Sequence, residues 1–261
     1  MKSLLRRIAW VRNLSLVTAI VIVWQIFSGY VFPKTNPSFV TLMPPPSAVA
    51  VAAYQLIISG ELGQQAWASL EREMVAFAVA CATAIPLGMA MGWWRAVYNQ
   101  MMPLTELLRP MPPLAWIPLG ILWFGVGNQE NEFIIFLAVF FPVLINTIAG
   151  IRSVDVQMIR AARSLGANES AILFRIAWNA ALPQIFTGLR VGFGIGWMAL
   201  VAAEITGART GLGFLMWDSR NFLRTDIIIT CMITIGLLGL AFDQVLLRVM
   251  HWYLPWWREA R

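Results

Sequence analysis

Met74-Val-Ala-Phe-Ala-Val-Ala-Cys-Ala-Thr-Ala-Ile-Pro-Leu-Gly-Met-Ala-Met-Gly-Trp-Trp94 carries no charge before Arg95. A helix rises about 1.5 Å per residue, so about 20 apolar residues cross the hydrocarbon layer of a bilayer. This stretch is long enough to do so. Comparable runs lie at Leu14–Phe32, about Leu107–Val126, Phe133–Ile151, about Ile185–Ile205 and Ile227–Leu247. The chain is 59% hydrophobic and 12% charged, against about 25% charged in soluble domains. Lipid must therefore act as a second solvent. The expectation is an all-α bundle of about six transmembrane helices forming one membrane domain over 1–261.

The segment between the first two runs holds Pro44-Pro45-Pro46 and then Ser47, a candidate helix cap. The apolar stretch that follows, 48–58, is too short to span and reads as an interfacial or re-entrant helix. The N-terminal Lys2, Arg6, Arg7 and Arg12 ahead of an apolar run resemble a signal peptide, but the run is long and lacks a convincing cleavage site, so it reads as a retained span.

Net charge is +6. Most of the 19 basic residues, Arg95, Arg109, Arg152, Arg160, Arg163, Arg175 and Arg248 among them, share one side of the membrane if both termini are cytoplasmic. Lys34, Arg72, Arg209, Arg220 and Arg224 fall outside. That asymmetry accounts for the basic balance without nucleic acid, which would need one exposed basic face. Trp10, Trp93, Trp94, Trp252, Trp256 and Trp257 fall at the predicted cytoplasmic interface. Cys81 and Cys231 sit in apolar runs and read as small hydrophobes; no metal site or catalytic constellation is legible.

One cytoplasmic loop stands out. Ser153-Val-Asp-Val-Gln-Met-Ile-Arg-Ala-Ala-Arg-Ser-Leu-Gly166 reads as a short helix capped by Ser153 or Asp155 and stopped by Gly166. A second helix starts near Asn168 and is expected to end before Pro183. Arg160-Ala161-Ala162, Gly166 and Leu182-Pro183 resemble the loop by which ABC importer permeases couple to their ATP-binding subunits. The family's Glu is replaced by Arg160, as in the nitrate/sulfonate/taurine branch. Trp178-Asn179 stands where the family's Leu-Pro usually falls. The resemblance extends over Leu42–Ser47, Arg109–Leu119, Trp123–Gly125, Thr187–Arg190, Gly196-Trp197, Leu200–Glu204 and Gly211–Phe214, and is greatest to taurine permeases.

The resemblance implies a type I ABC importer permease in a bacterial inner membrane. It implies a homodimer, ATP-binding cassette subunits below and a periplasmic solute-binding protein above. ATP and Mg are expected in the partner, with no cofactor and no enzyme activity in this chain, which has no phosphate-cradling Walker sequence. Taurine or a related sulfonate is the expected solute; nitrate, bicarbonate or a small aromatic or heterocyclic compound are alternatives. A secondary transporter is the rival class, disfavoured by the shortage of ionisable residues within the spans.

Candidate path or gate residues are Arg109, Pro112, Pro113, Arg190, Gly192, Gly196, Trp197 and Glu204. Arg109-Pro-Met-Pro-Pro113 reads either as a kinked helix start with a snorkelling arginine or as a hinge near the inner gate. Gly188, Gly192 and Gly196 form a small-residue stripe, suited either to packing within one subunit or to the dimer pore. Arg190 and Glu204 are expected near opposite interfaces; Glu204 reads as a pore-mouth group, a contact for the binding protein or a solvated helix end.

Overall fold

The computed structural model describes residues 16–35 and 41–254; calls on Lys2, Arg6, Arg7, Arg12, Trp10, Trp256, Trp257 and both termini lie outside them. Among the described residues every regular element is helical. The chain divides into two compact units, 1–66 with 215–235, and 67–214 with 236–261.

In the first unit, α1 (Leu16–Lys34) is almost entirely exposed, as expected of a helix facing lipid. Gln25 on α1 accepts from the Ser47 backbone N–H at 3.1 Å and donates to Ser47 Oγ at 3.2 Å. Ser47 is thus engaged across the unit instead of capping α2 (Pro46–Ile58), whose cap position is Pro45. Proline at the first helical position costs nothing there, because that N–H would be unpaired anyway.

Long helices cross the second unit: α3 (Glu61–Trp93), α6 (Asn128–Arg152), α8 (Glu169–Gly207) and α10 (Thr225–Tyr253), of which α3 and α10 begin in the first. α3 starts well before the expected 74, running through Glu71, Arg72 and Glu73. Charge marks a boundary for lipid contact but does not interrupt backbone hydrogen bonding. The run expected as one span at 107–126 is divided: α4 (Arg95–Leu108) ends, a turn follows, and a 3-10 turn (Pro113–Trp116) leads into α5 (Ile117–Phe124). Pro112 and Pro113 lack the N–H groups that the Arg109 carbonyl would need at i+3 and i+4.

α8 also departs from expectation, because the second loop helix does not end before Pro183 but continues as the next span. A π-helical stretch (Ile172–Ala177) precedes the proline, a distortion that adjusts the hydrogen-bond register. Asn179 Nδ2 donates to the Arg175 carbonyl at 2.7 Å within the same turn. α6 and α8 form the most extensive helix pair. Val139, Val143, Leu144, Ala181, Ile185 and Phe193 are buried in that unit.

Candidate functional site

The elbow between α6 and α8 is built as its residues predict. α7 (Val156–Ser164) is capped by Asp155, whose Oδ1 accepts the Gln157 N–H at 2.8 Å. Gly166 then turns the chain at φ 82°, a left-handed conformation that costs a side-chain-bearing residue about 1–2 kcal/mol. Asn168 caps α8 by accepting the Ala171 N–H at 2.8 Å. Arg163 and Glu169 pair across the bend at 2.8 Å. Ala162 is buried against the unit, while Arg160, Ala161 and Gly166 are exposed. Leu165 is 88% exposed at the tip, with Val156 and Met158 also uncovered. Arg160 has no side-chain partner among the described residues. Leu182 and Pro183 lie half-buried within α8.

Glu204 is not a solvated helix end: it is fully buried. Its Oε1 accepts from Arg72 Nη1 and from Ser69 Oγ, both at 2.7 Å, and its Oε2 accepts the Gly213 N–H at 2.8 Å. Arg72, expected outside, is 3% exposed. Its guanidinium also donates to Asn128 Oδ1 at 2.9 Å, to the Thr210 carbonyl at 2.7 Å and to Thr210 Oγ1 at 2.6 Å. Ser69 Oγ in turn accepts the Leu212 N–H at 2.8 Å. One arginine, one carboxylate and one hydroxyl thus pin the 208–213 turn to α3, α8 and the start of α6. Buried charge survives only when paired and hydrogen-bonded, and here nearly every donor is used. Glu73 and Glu130 are buried as well, without a hydrogen-bond partner among the described residues. The spans are therefore less free of ionisable groups than their hydropathy suggests.

Arg190 meets Asp243 of α10 in a two-pronged pair at 2.7 and 3.0 Å, a geometry suited to guanidinium and carboxylate. The glycine stripe packs inside the unit. A Cβ on Gly188 would lie 2.6 Å from Asn146 Cβ, one on Gly192 3.1 Å from Val143 Cγ2, and one on Gly196 2.7 Å from Val139 Cγ2. Gly192 and Gly196, candidates for the path, are buried against α6. Trp197 is buried too, stacking on Phe193 at 5.6 Å and lying against Gly239 of α10.

Arg109, Pro112 and Pro113 do face open space. Arg109 and Pro113 line a cleft of about 270 Å³ with Phe141, Asn146 and Ile195. Arg109, assigned to the cytoplasmic side by charge counting, instead lies against residues 137–146, the middle of α6. Asn146 is oriented by donating to the Pro142 carbonyl at 2.8 Å and accepting from Gln184 Nε2 at 3.1 Å.

A bundle of apolar helices carrying an exposed, arginine-bearing elbow defines the class: a polytopic membrane permease. The chain belongs to the family of binding-protein-dependent transport system inner membrane components, whose model matches residues 82–259. It is 41% identical over 94% of its length to a putative ABC transporter permease of Methanocaldococcus jannaschii, covering 92% of that protein. It is 37% identical to the taurine transport system permease protein TauC of Escherichia coli, over 84% of this chain and 82% of the relative. It is 32% identical to the nitrate import permease protein NrtB of Synechocystis, over 87% and 83%. Among solved structures, an inward-facing form of the MetNI methionine ABC transporter shares the fold. Its TM-score is 0.59 at 15% identity, covering 74% of this chain and 97% of that one. The chain is thus an ABC importer permease with a type I importer fold.

Proposed function

We propose that this chain is the translocating subunit of an importer for taurine or a related sulfonate. It works as a homodimer beneath a solute-binding protein and is driven by ATP-binding subunits docked on its elbow. The observation that carries the coupling role is the α7–Gly166–α8 elbow: capped on both sides, yet exposing Leu165 and an Arg160 whose side chain has no partner among the described residues. An exposed apolar tip ringed by cations is the surface a partner protein covers. The sulfonate reading is supported by the resemblance to TauC and to aliphatic sulfonate permeases of Bacillus subtilis and Escherichia coli. Closure of the partners would move the elbow as a rigid body and rock the attached helices between two states.

The test is uptake of labelled taurine by cells expressing the complete transporter. Gly166→Val, which places a β-branched side chain at φ 82°, should lower uptake about tenfold or more at unchanged membrane abundance, a change of about 1.4 kcal/mol or more. Wild-type uptake by that variant would remove the elbow from the mechanism. Wild-type uptake of nitrate without taurine would move the substrate within the family.

A further inference from the structure

The break at Arg109–Pro112 lies level with the middle of a span. Non-helical backbone at that depth is tolerated only where protein buries it or a water-filled cavity receives it. Here it opens on the 270 Å³ cleft. Arg109 is exposed, and its side chain has no hydrogen-bond or ion-pair partner among the described residues. Among the described residues no carboxylate lines the cleft. The neighbouring arginine on α8, Arg190, is already neutralised by Asp243, so Arg109 keeps its charge for something else. An ionisable side chain inside a membrane bundle marks a solute or ion path unless it has a partner.

The cleft's other walls are chemically specific. Pro113, Phe141 and Ile195 offer apolar surface. Asn146 is held by Pro142 and Gln184, so that its amide is fixed. Pro142 also lacks the N–H that would return to the Ala138 carbonyl in this wall. A fixed cation, a few polar groups and apolar walls recognise a small anion with a short carbon body. The volume suits it: at about 30 Å³ per water, the cleft holds about nine waters' worth of solute.

We propose that this cleft is an anion-selective way-station on the translocation path, with Arg109 as the group that receives the sulfonate or a similar small oxyanion. This rests on the importer reading and adds where within the chain the solute is met. Arg109 is a specificity residue, and its side chain approaches the solute directly.

The test reads the cleft's charge without requiring transport. In the full-length chain with Cys81 and Cys231 replaced by alanine, Ile195→Cys is labelled in the detergent-solubilised transporter, both faces open. One reagent is the anionic 2-sulfonatoethyl methanethiosulfonate and the other its trimethylammonioethyl counterpart. Val191→Cys, on the same wall, is the second reporter should the first fail to fold. The anionic reagent should react about tenfold faster relative to the cationic one than it does with free cysteine, a field effect of roughly 1.4 kcal/mol. Arg109→Gln should erase that preference and Arg109→Lys keep it. Taurine or ethanesulfonate at millimolar concentration should slow the labelling. An equal or cationic preference overturns the proposal, and so does silence toward both reagents at both positions, which would mean the cleft is covered. A preference that neither taurine, ethanesulfonate nor nitrate diminishes also overturns it as a binding site. If the whole pattern holds while cells import no sulfonate, the substrate reading fails and the anion cleft stands.

Discussion

Arg72 and Glu204 are 132 residues apart in sequence and meet in a site from which solvent is excluded. Removing one member of such a pair leaves the other buried and uncompensated, which costs about 3–5 kcal/mol. Arg72→Met is therefore expected to lower the thermal midpoint of the solubilised chain markedly and to expose the 208–213 turn to hydrogen exchange. Arg190→Met should do much less, since Arg190 and Asp243 remain 39% and 33% exposed and water can replace the lost partner. Equal losses from the two substitutions would show that burial does not decide the matter. The sequence exposes the chemistry of these residues but not their pairing. A charge inside an apolar run signals either an interface or a buried partner, and no local spacing connects α3 to the end of α8. Asp155, Gly166 and Asn168 are legible because their work is local: a cap and a left-handed turn are settled within four residues.

At the scale of helices, glycine and proline decide the outcome. Gly188, Gly192 and Gly196 approach Asn146, Val143 and Val139 in order, so α6 and α8 run antiparallel with their backbones close. Gly194, between them, has nothing within 4 Å of where its Cβ would stand. Gly188→Ala forces Asn146 or the helices apart and should destabilise the chain by about 1–3 kcal/mol, the usual cost of overpacking. Gly194→Ala should be neutral or stabilise by about 0.5–1 kcal/mol, since only helix propensity changes. Thermal midpoints of the two variants check this, and a destabilised Gly194→Ala would contradict the assignment of the packed face. The period of four identified the stripe in sequence; which neighbour it faced did not follow from spacing. Proline is harder to read. Pro86, Pro103, Pro142 and Pro183 all sit inside helices, while Pro110, Pro112 and Pro113 end one. A single proline removes one hydrogen bond that neighbouring groups can replace, whereas the cluster removes successive donors. Ending the loop helix before Pro183 treats an isolated proline as a cluster.

Across the second unit, helix direction fixes how many times the chain must cross. A Cβ on Gly88 would meet Thr147 Cβ at 2.7 Å and one on Gly92 would meet Ile151 Cβ at 2.6 Å, so α3 and α6 run parallel. The chain between them must therefore return to its starting level. α4 and the Pro113–Phe124 segment make that return, although neither is long enough to count as a span. Arg152 at the end of α6 lies 3.4 Å over the Tyr98 ring near the start of α4, placing those two ends together. Arg95, Arg152, Arg160, Arg163 and Arg175 then collect on one face, and positive charge on short loops favours the cytoplasm. In the full-length chain with both native cysteines replaced, Asn99→Cys and Ser164→Cys should react with an impermeant maleimide only from the cytoplasmic side. Gln129→Cys and Arg209→Cys should react only from the opposite side. Labelling of Gln129→Cys and Ser164→Cys from one face would mean that the broken pair does not cross. The elbow and the turn pinned by Arg72 would then lie on the same side, and no movement of the elbow could be transmitted through α8 from one face of the membrane to the other.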